Sequence, residues 1–96
     1  MKYDLDITLF EKATEVLRAM AHPLRLAIVE ILFENGQLSV SDIHEKLDIE
    51  QAVASHHLRI MKDRELVVVK RDGKNAYYAL NNDNYYLLLQ ILRKTL

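Results

Sequence analysis

Apolar residues recur at helical spacing near the start of the chain. A first helix is predicted over residues 9–20, where the apolar positions lie three or four apart: Phe10, Ala13, Leu17 and Met20. Thr8 and Glu11 have the spacing of a capping box, which places the predicted helix start at Thr8.

A second amphipathic pattern follows the dipeptide His22-Pro23. Proline suits the first turn of a helix, because the N–H that it lacks would have no intrahelical partner there. Gly36 suits a left-handed cap at the end of the same helix. Between these two residues, one face carries apolar positions: Leu24, Ala27, Ile28, Ile31 and Leu32.

Two short helices are predicted next. Ser41 is a candidate N-cap for the first of them, which contains Ile43 and Leu47. Asp48 and Gln51 have capping-box spacing for a helix over residues 50–64. Two short helices joined by a tight turn, with basic residues on the second, form a helix-turn-helix pattern.

The pattern then changes to that of strands. The segments "VVVKR" and "NAYYAL" are β-branched and aromatic, and "DG" lies between them. This predicts a two-stranded hairpin over residues 67–80. A last helix is predicted over 83–95, capped by Asn81 or Asn82. The predicted fold is therefore mainly α with a small β-hairpin, in one domain spanning residues 1–96.

The last predicted helix is apolar on nearly every side. The core of one subunit covers only one stripe of a helix, so the surplus predicts a subunit interface. The apolar residues of this segment are Tyr85, Tyr86, Leu87, Leu88, Leu89, Ile91 and Leu92.

Composition and charge narrow the class of protein. Half of the residues are apolar, which indicates a folded chain. The absence of cysteine excludes disulfides and thiolate chemistry, and it suits a cytoplasmic protein. We see neither a signal peptide nor a segment long enough to span a bilayer.

The net charge of −1 conceals an uneven distribution. Residues 1–50 carry five Lys or Arg against ten Asp or Glu, whereas residues 51–80 carry six against three. The two segments therefore have net charges of −5 and +3. The second is either an ordinary solvated face or a site for a polyanion, and charge alone does not decide between them.

His56 and His57 diverge by about 100° on the helical wheel, so they do not form a metal pair at i,i+3 or i,i+4 spacing. His57 borders the core face formed by Ala54, Leu58 and Met61. It is therefore predicted to be a hydrogen-bonded packing residue. His56 is either an ordinary exposed residue or a contact to nucleic acid. No cysteine or zinc motif supports a metal site.

The exposed side of the 50–64 helix carries hydrogen-bond donors, and this is the side that enters a major groove in helix-turn-helix proteins. Arg71 and Lys74 flank the tip of the predicted hairpin, where a basic loop can reach the flanking DNA. The candidate DNA contacts are Gln51, Ser55, His56, Arg59, Lys62, Arg71 and Lys74.

These segments together resemble the ArsR-type winged-helix repressors of bacteria. "AMAHPLRLAIVEIL" is similar to the second helix of that family, and residues 38–80 are similar to its helix-turn-helix and wing. The most specific pieces are Gln51, Ser55-x-His57-Leu58, and Arg71-x-Gly73-Lys74 followed by Tyr77-Tyr78-x-Leu80. The resemblance covers about residues 15 to 80.

The resemblance implies five helices, a β-wing, and a homodimer that binds palindromic operator DNA as a repressor. It implies base contacts from helix 50–64 and flanking contacts from wing 67–80. It also places the first and last helices in the dimer interface, for which the candidate residues are Phe10, Leu17, Tyr85, Leu88, Leu89 and Leu92.

The chain departs from the family at its sensing sites. Ser39 and Ser41 stand where many members carry metal-binding cysteines, and the last helix has no histidine. Hydroxyls are poor ligands for soft metals, so we expect neither a metal site nor a cofactor, and the sequence does not define an inducer. Glu65 also stands where relatives commonly have glycine before the wing.

Two other classes of function are alternatives to a DNA-binding repressor. A winged-helix module that docks proteins without binding DNA is the main alternative, and the acidic first half of the chain is compatible with it. An enzyme would need a nucleophile with a base or paired carboxylates in a cleft, and the sequence shows no such set. We therefore do not predict an enzyme.

Overall fold

The computed structural model describes residues 3–96, in which five helices and three strands form one packed unit. Met1 and Lys2, which the predicted domain range 1–96 includes, lie outside the described residues. The elements are α1 (Ile7–Met20), α2 (Pro23–Asn35), β1 (Leu38–Ser39), α3 (Val40–Leu47), α4 (Gln51–Asp63), β2 (Val67–Asp72), β3 (Asn75–Leu80) and α5 (Asn84–Thr95).

Helix α1 begins earlier than the capping box predicted. The side chain of Asp6 accepts a hydrogen bond from the backbone N–H of Leu9 at 3.0 Å, and Thr8 lies inside the helix. An aspartate caps a helix as well as a threonine does, so the local pattern offered two starts. The prediction of Thr8 as the cap was wrong.

Helix α2 has the predicted bounds. His22 precedes Pro23 and accepts a hydrogen bond from the N–H of Leu24 through Nδ1, at 3.0 Å. Gly36 ends the helix with φ of 80°, a conformation that side chains with a Cβ rarely adopt. Ile28, Val29 and Leu32 are buried, so the helix passes through the centre of the core.

The caps between α2 and α4 differ from the prediction. Ser39, rather than Ser41, caps α3, and its Oγ accepts from the N–H of Asp42 at 3.1 Å. Asp48 adopts the left-handed conformation at the end of α3, with φ of 52°, and therefore does not cap α4. Glu50 occupies the N-cap of α4 without a side-chain hydrogen bond.

The sheet has three strands rather than the predicted two. Its order is β1-β3-β2, and both pairings are antiparallel. The hairpin of β2 and β3 turns at Gly73, where φ is 62°. Strand β1 was missed because it has only two residues, Leu38 and Ser39, which pair with Tyr78 and Tyr77. Two residues are too few to show an alternating pattern.

Helix α5 begins one residue later than predicted. Asp83 occupies its N-cap, and the side chain of Asn82 accepts a hydrogen bond from the N–H of Asn84 at 2.8 Å. The prediction of Asn81 or Asn82 as the cap was therefore wrong, although the Asn82 side chain supports the helix start from the position before the cap.

Helix α4 buries the face that the helical wheel predicted. Ala54, Leu58 and Met61 have no exposed surface. They join a core that includes Ile28 and Leu32 of α2. Full burial of a Leu or Met side chain contributes about 1.5–3 kcal/mol relative to leaving it exposed. These contacts keep the opposite face of α4 outward.

His57 is a packing residue, as predicted. Its side chain is 6% exposed, and Nδ1 accepts a hydrogen bond from Nε of Arg25 at 3.2 Å. Its ring lies 4.3 Å from that of His22 and 5.3 Å from that of His56. Burial lowers the pKa of His57, and the neighbouring charges of His22, Arg25 and His56 lower it further.

Glu65 links α4 to the wing in a left-handed conformation with φ of 60°. Its carbonyl accepts a hydrogen bond from Nδ2 of Asn81 at 2.9 Å, and its N–H donates to Lys62 at 3.0 Å. These contacts hold the backbone in a geometry that costs an L-residue about 1–2 kcal/mol. A glycine at this position would avoid that cost. Glu65 adopts the same left-handed conformation although it carries a Cβ.

We expect Glu65→Gly to raise the free energy of unfolding by up to about 1 kcal/mol, because relief of strain exceeds the added entropy of the unfolded chain. Urea unfolding followed by circular dichroism measures the change. Glu65→Ala removes the same side chain and keeps the Cβ, so it should give no comparable gain. Equal stabilisation by both variants would assign the effect to the carboxylate instead.

We expect stability to fall as the pH drops below about 6.5, where the unfolded histidine takes up a proton before folded His57 does. The contribution of His57 is complete above that pH and decreases down to its lowered folded pKa. Urea unfolding at pH values from 5.5 to 7.5 measures this slope. His57→Gln should flatten it, whereas His56→Gln at the exposed neighbouring position should retain it. An unchanged slope in His57→Gln would contradict the assignment.

Candidate nucleic-acid interface

The outward face of α4 carries the predicted polar row. Ser55, His56 and Arg59 are all exposed, on the side of the helix away from Ala54 and Leu58. Gln51 is exposed in the first turn of α4. These four side chains offer hydroxyl, amide, imidazole and guanidinium groups on a rigid helix. Together they can donate to and accept from the edges of bases.

His56 and Arg59 interact with each other on this face. Nη2 of Arg59 lies 3.3 Å from Nδ1 of His56. Since arginine only donates, Nδ1 accepts and the neutral ring carries its proton on Nε2. The contact therefore presets the orientation of both side chains and leaves an imidazole N–H donor at Nε2.

Lys62 and Arg71 meet at an open groove between α4 and β2. The groove has a volume of about 780 Å³, and Glu65, Val67, Val68 and Val69 also line it. Its two cations come from different elements, so they can contact successive phosphates of one strand. Asn81 also lines the groove. Sequence reasoning missed Asn81, because a single asparagine after a strand is indistinguishable from a turn residue.

The tip of the hairpin carries Lys74 in the turn between β2 and β3. Lys74 and Arg71 are exposed, and Asp72 pairs with Asn75 at the end of the ladder. Gly73 supplies the positive φ that the turn requires. The wing thus presents a basic tip on a short, hydrogen-bonded support.

Large apolar side chains are exposed on α1 and on α5. Leu17 is 58% exposed and Leu92 is 47% exposed, and Phe10 and Leu88 are also exposed. Leu87 and Ile91 of α5 are exposed as well, although they were not among the predicted interface residues. Tyr85 and Leu89 are half-buried, and Tyr85 packs against the core of its own subunit.

Helix α5 is fixed to α2 by two contacts. The rings of Phe33 and Tyr86 stack in parallel with their centroids 3.7 Å apart. Arg93 forms an ion pair with Glu30, and the hydrogen bond to this carboxylate raises the pKa of Arg93. The exposed apolar face of α5 is therefore held in a defined orientation.

Ser39 stands at one of the positions where the family resemblance places metal-binding cysteines, and here it caps a helix. Ser39 spends its Oγ on the cap of α3, and Nδ1 of His44 lies 3.2 Å from the carbonyl of Ile49. Over residues 3–96, no group of three or more metal-ligating side chains comes together. In the same part of the chain, no helix combines the length and apolarity needed to cross a membrane.

Comparison with known proteins gives a family match over the helix-turn-helix. The family described as "Bacterial regulatory protein, arsR family" matches residues 22–69. An uncharacterised HTH-type transcriptional regulator of Methanocaldococcus jannaschii is 32% identical over 83 residues, which cover 86% of this chain and 93% of that protein. The transcriptional repressor PagR of Bacillus anthracis is 35% identical over 82 residues, covering 85% of this chain and 82% of PagR.

Solved structures give the same result. The crystal structure of PagR has a TM-score of 0.82 and 32% identity, and covers 91% of this chain and 99% of PagR. NolR from Sinorhizobium fredii has a TM-score of 0.84 and 28% identity, and covers 97% of this chain and 95% of NolR. The winged-helix fold predicted from the sequence is confirmed. The chain therefore belongs to the ArsR family and is a DNA-binding transcriptional regulator.

Proposed function

We propose that the protein is a homodimeric repressor that binds a palindromic operator, with α4 in the major groove and the wing on flanking DNA. The observation that carries this proposal is the polar, exposed face of α4 beside a basic wing. A protein-docking module would not need this combination. PagR, which is similar over most of its length, is named a transcriptional repressor.

The polar face of α4 and the basic residues at the end of α4 and on the wing have different roles in this proposal. Arg59 reads a guanine edge, because its planar fork matches the two acceptors there. Gln51, Ser55 and His56 contact neighbouring base edges or phosphates from the same face. Lys62, Arg71 and Lys74 neutralise phosphates, which positions the protein without selecting a sequence.

The dimer in this proposal forms through α1 and α5. Exposed apolar side chains on both helices would leave water only if a second copy covered them. Phe10 and Leu17 contribute from α1, and Leu88 and Leu92 contribute from α5. Twofold symmetry would place two copies of α4 about one DNA turn apart, and this spacing is the reason for a palindromic operator.

Arg59→Ala should weaken operator binding by about 1–3 kcal/mol and relax the preference at one base position per half-site. Lys74→Ala should weaken all DNA sequences about equally and reduce the salt slope by about one for each site lost. Both variants are measured against the operator, obtained by selection from random DNA, and against scrambled DNA over a salt series. Lys94→Ala on α5 serves as the control for loss of one charge.

If Arg59→Ala lowered the affinity for operator and scrambled DNA equally, Arg59 would be a phosphate contact and its role as a base reader would be wrong. If the wild-type protein bound no DNA with a salt-dependent affinity, the docking-module alternative would replace the proposal.

The 11.2 kDa chain should sediment at about twice its mass at micromolar concentration. Leu92→Glu places a charge in the proposed interface and should give a monomer whose circular dichroism spectrum is unchanged. Gln37→Glu adds the same charge on the exposed turn after α2 and should remain dimeric. A monomeric wild-type protein would count against both the interface and the palindromic operator.

A further inference from the structure

A pocket of about 280 Å³ lies where α1, α2 and α4 meet, outside the surfaces described above. Arg18 of α1, Arg25 of α2 and Arg64 after α4 line it, together with Glu15, Ala19 and Ile60. Three guanidinium groups against one carboxylate give its walls a net charge of +2. The pocket is therefore a basic site, built from both the acidic first half of the chain and the basic segment 51–80.

The hydrogen bonds of the three arginines leave donors unused. Nη1 of Arg64 lies 3.4 Å from the Glu15 carboxylate. Arg25 donates from Nε to His57 and from Nη1 to the carbonyls of Arg18 and Ala19, at 3.2 and 3.4 Å. These bonds fix the plane of the Arg25 guanidinium. Within residues 3–96, its Nη2 and the whole Arg18 guanidinium have no hydrogen-bond partner.

Three arginines that line one pocket favour an anion with several oxygens. Like charges close together repel, and a bound anion removes the repulsion while it accepts hydrogen bonds from each fork. Ala19 and Ile60 are the apolar members of the lining, and Arg18 and Arg64 are exposed, so a ligand can reach their guanidinium groups from solvent. A tetrahedral phosphate matches both the fork geometry and the net charge of +2.

We propose that Arg18, Arg25 and Arg64 form a phosphate-binding site at the junction of α1, α2 and α4. The phosphate group comes either from a free phosphorylated small molecule or from the backbone of bound DNA, and only the second source rests on the proposed function. A phosphate held by Arg18 and Arg64 would contact both α1 and the end of α4. Its binding would therefore connect α1, which carries exposed apolar residues, with α4, the helix proposed to enter the major groove.

The first experiment titrates the full chain with inorganic phosphate against chloride at constant ionic strength and pH. The arginine Nε–H signals are followed by NMR, and those of Arg18, Arg25 and Arg64 should shift in a saturable way. Arg18→Gln should weaken binding about tenfold, which corresponds to about 1.4 kcal/mol, because it removes a charged donor to the phosphate. Lys94→Gln removes the same charge on α5 and should keep the wild-type affinity.

The second experiment measures DNA affinity over a salt series for the same three proteins. If DNA supplies the phosphate, Arg18→Gln should reduce the salt slope by about one per site, whereas Lys94→Gln should not. A saturable response in the first experiment with an unchanged salt slope in the second identifies a free phosphorylated ligand, whereas a reduced salt slope identifies the DNA backbone whether or not inorganic phosphate binds.

The site is overturned if Arg18→Gln matches the wild-type protein in both experiments, or if Lys94→Gln causes the same losses. Failure of the proposed function has a different signature, because the wild-type protein itself would then bind no operator. The phosphate titration decides the free-ligand source in that case as well.

Discussion

The rotation of α4 about its own axis is the constraint on which the rest of the site depends. Ala54, Leu58 and Met61 are buried, and their burial turns Ser55 and Arg59 toward solvent. Apolar contacts are not directional, so they would allow some rotation. The hydrogen bond from Arg25 to His57 restricts the rotation of α4 further, because it connects one edge of α4 to a fixed donor on α2.

The same hydrogen bond explains why two adjacent histidines have unrelated roles. Nδ1 of His57 must stay unprotonated to accept a hydrogen bond from Arg25. Burial favours that state because it lowers the pKa of His57. His56 lies one residue along, so the helix turns it into solvent beside Arg59. The helical repeat and the hydrogen bond from Arg25 thus give one dipeptide a buried imidazole and an exposed imidazole.

Long periodic segments were predictable from the sequence, whereas local caps were not. Residues 9–20, 23–35 and 50–64 gave helices with nearly correct bounds, because each has enough apolar positions to define a face. Asp6 and Ser39 replaced the predicted caps, since several residues near each helix start can accept the same N–H. Strand β1 forms only because β3 lies beside it, which no local pattern encodes.

The candidate site shows the same difference between features of a single element, which could be predicted, and features that depend on tertiary packing, which could not. The outward row on α4 could be predicted from its phase relative to the core, and the wing tip from its turn residues. The pocket lined by Arg18, Arg25 and Arg64 could not be predicted, because its members come from three elements that the tertiary fold brings together. The groove shared by Lys62 and Arg71 depends likewise on how β2 packs beside α4.

A set of contacts through α2 joins α5 to the buried side of α4. Phe33 and Glu30 fix α5 to α2, and Arg25 of α2 then holds His57 of α4. In a twofold dimer, the distance between two recognition helices is set by every step of this path. Any ligand that shifts α2 relative to either helix would therefore change the spacing that a palindromic operator requires, with no need to touch a DNA contact.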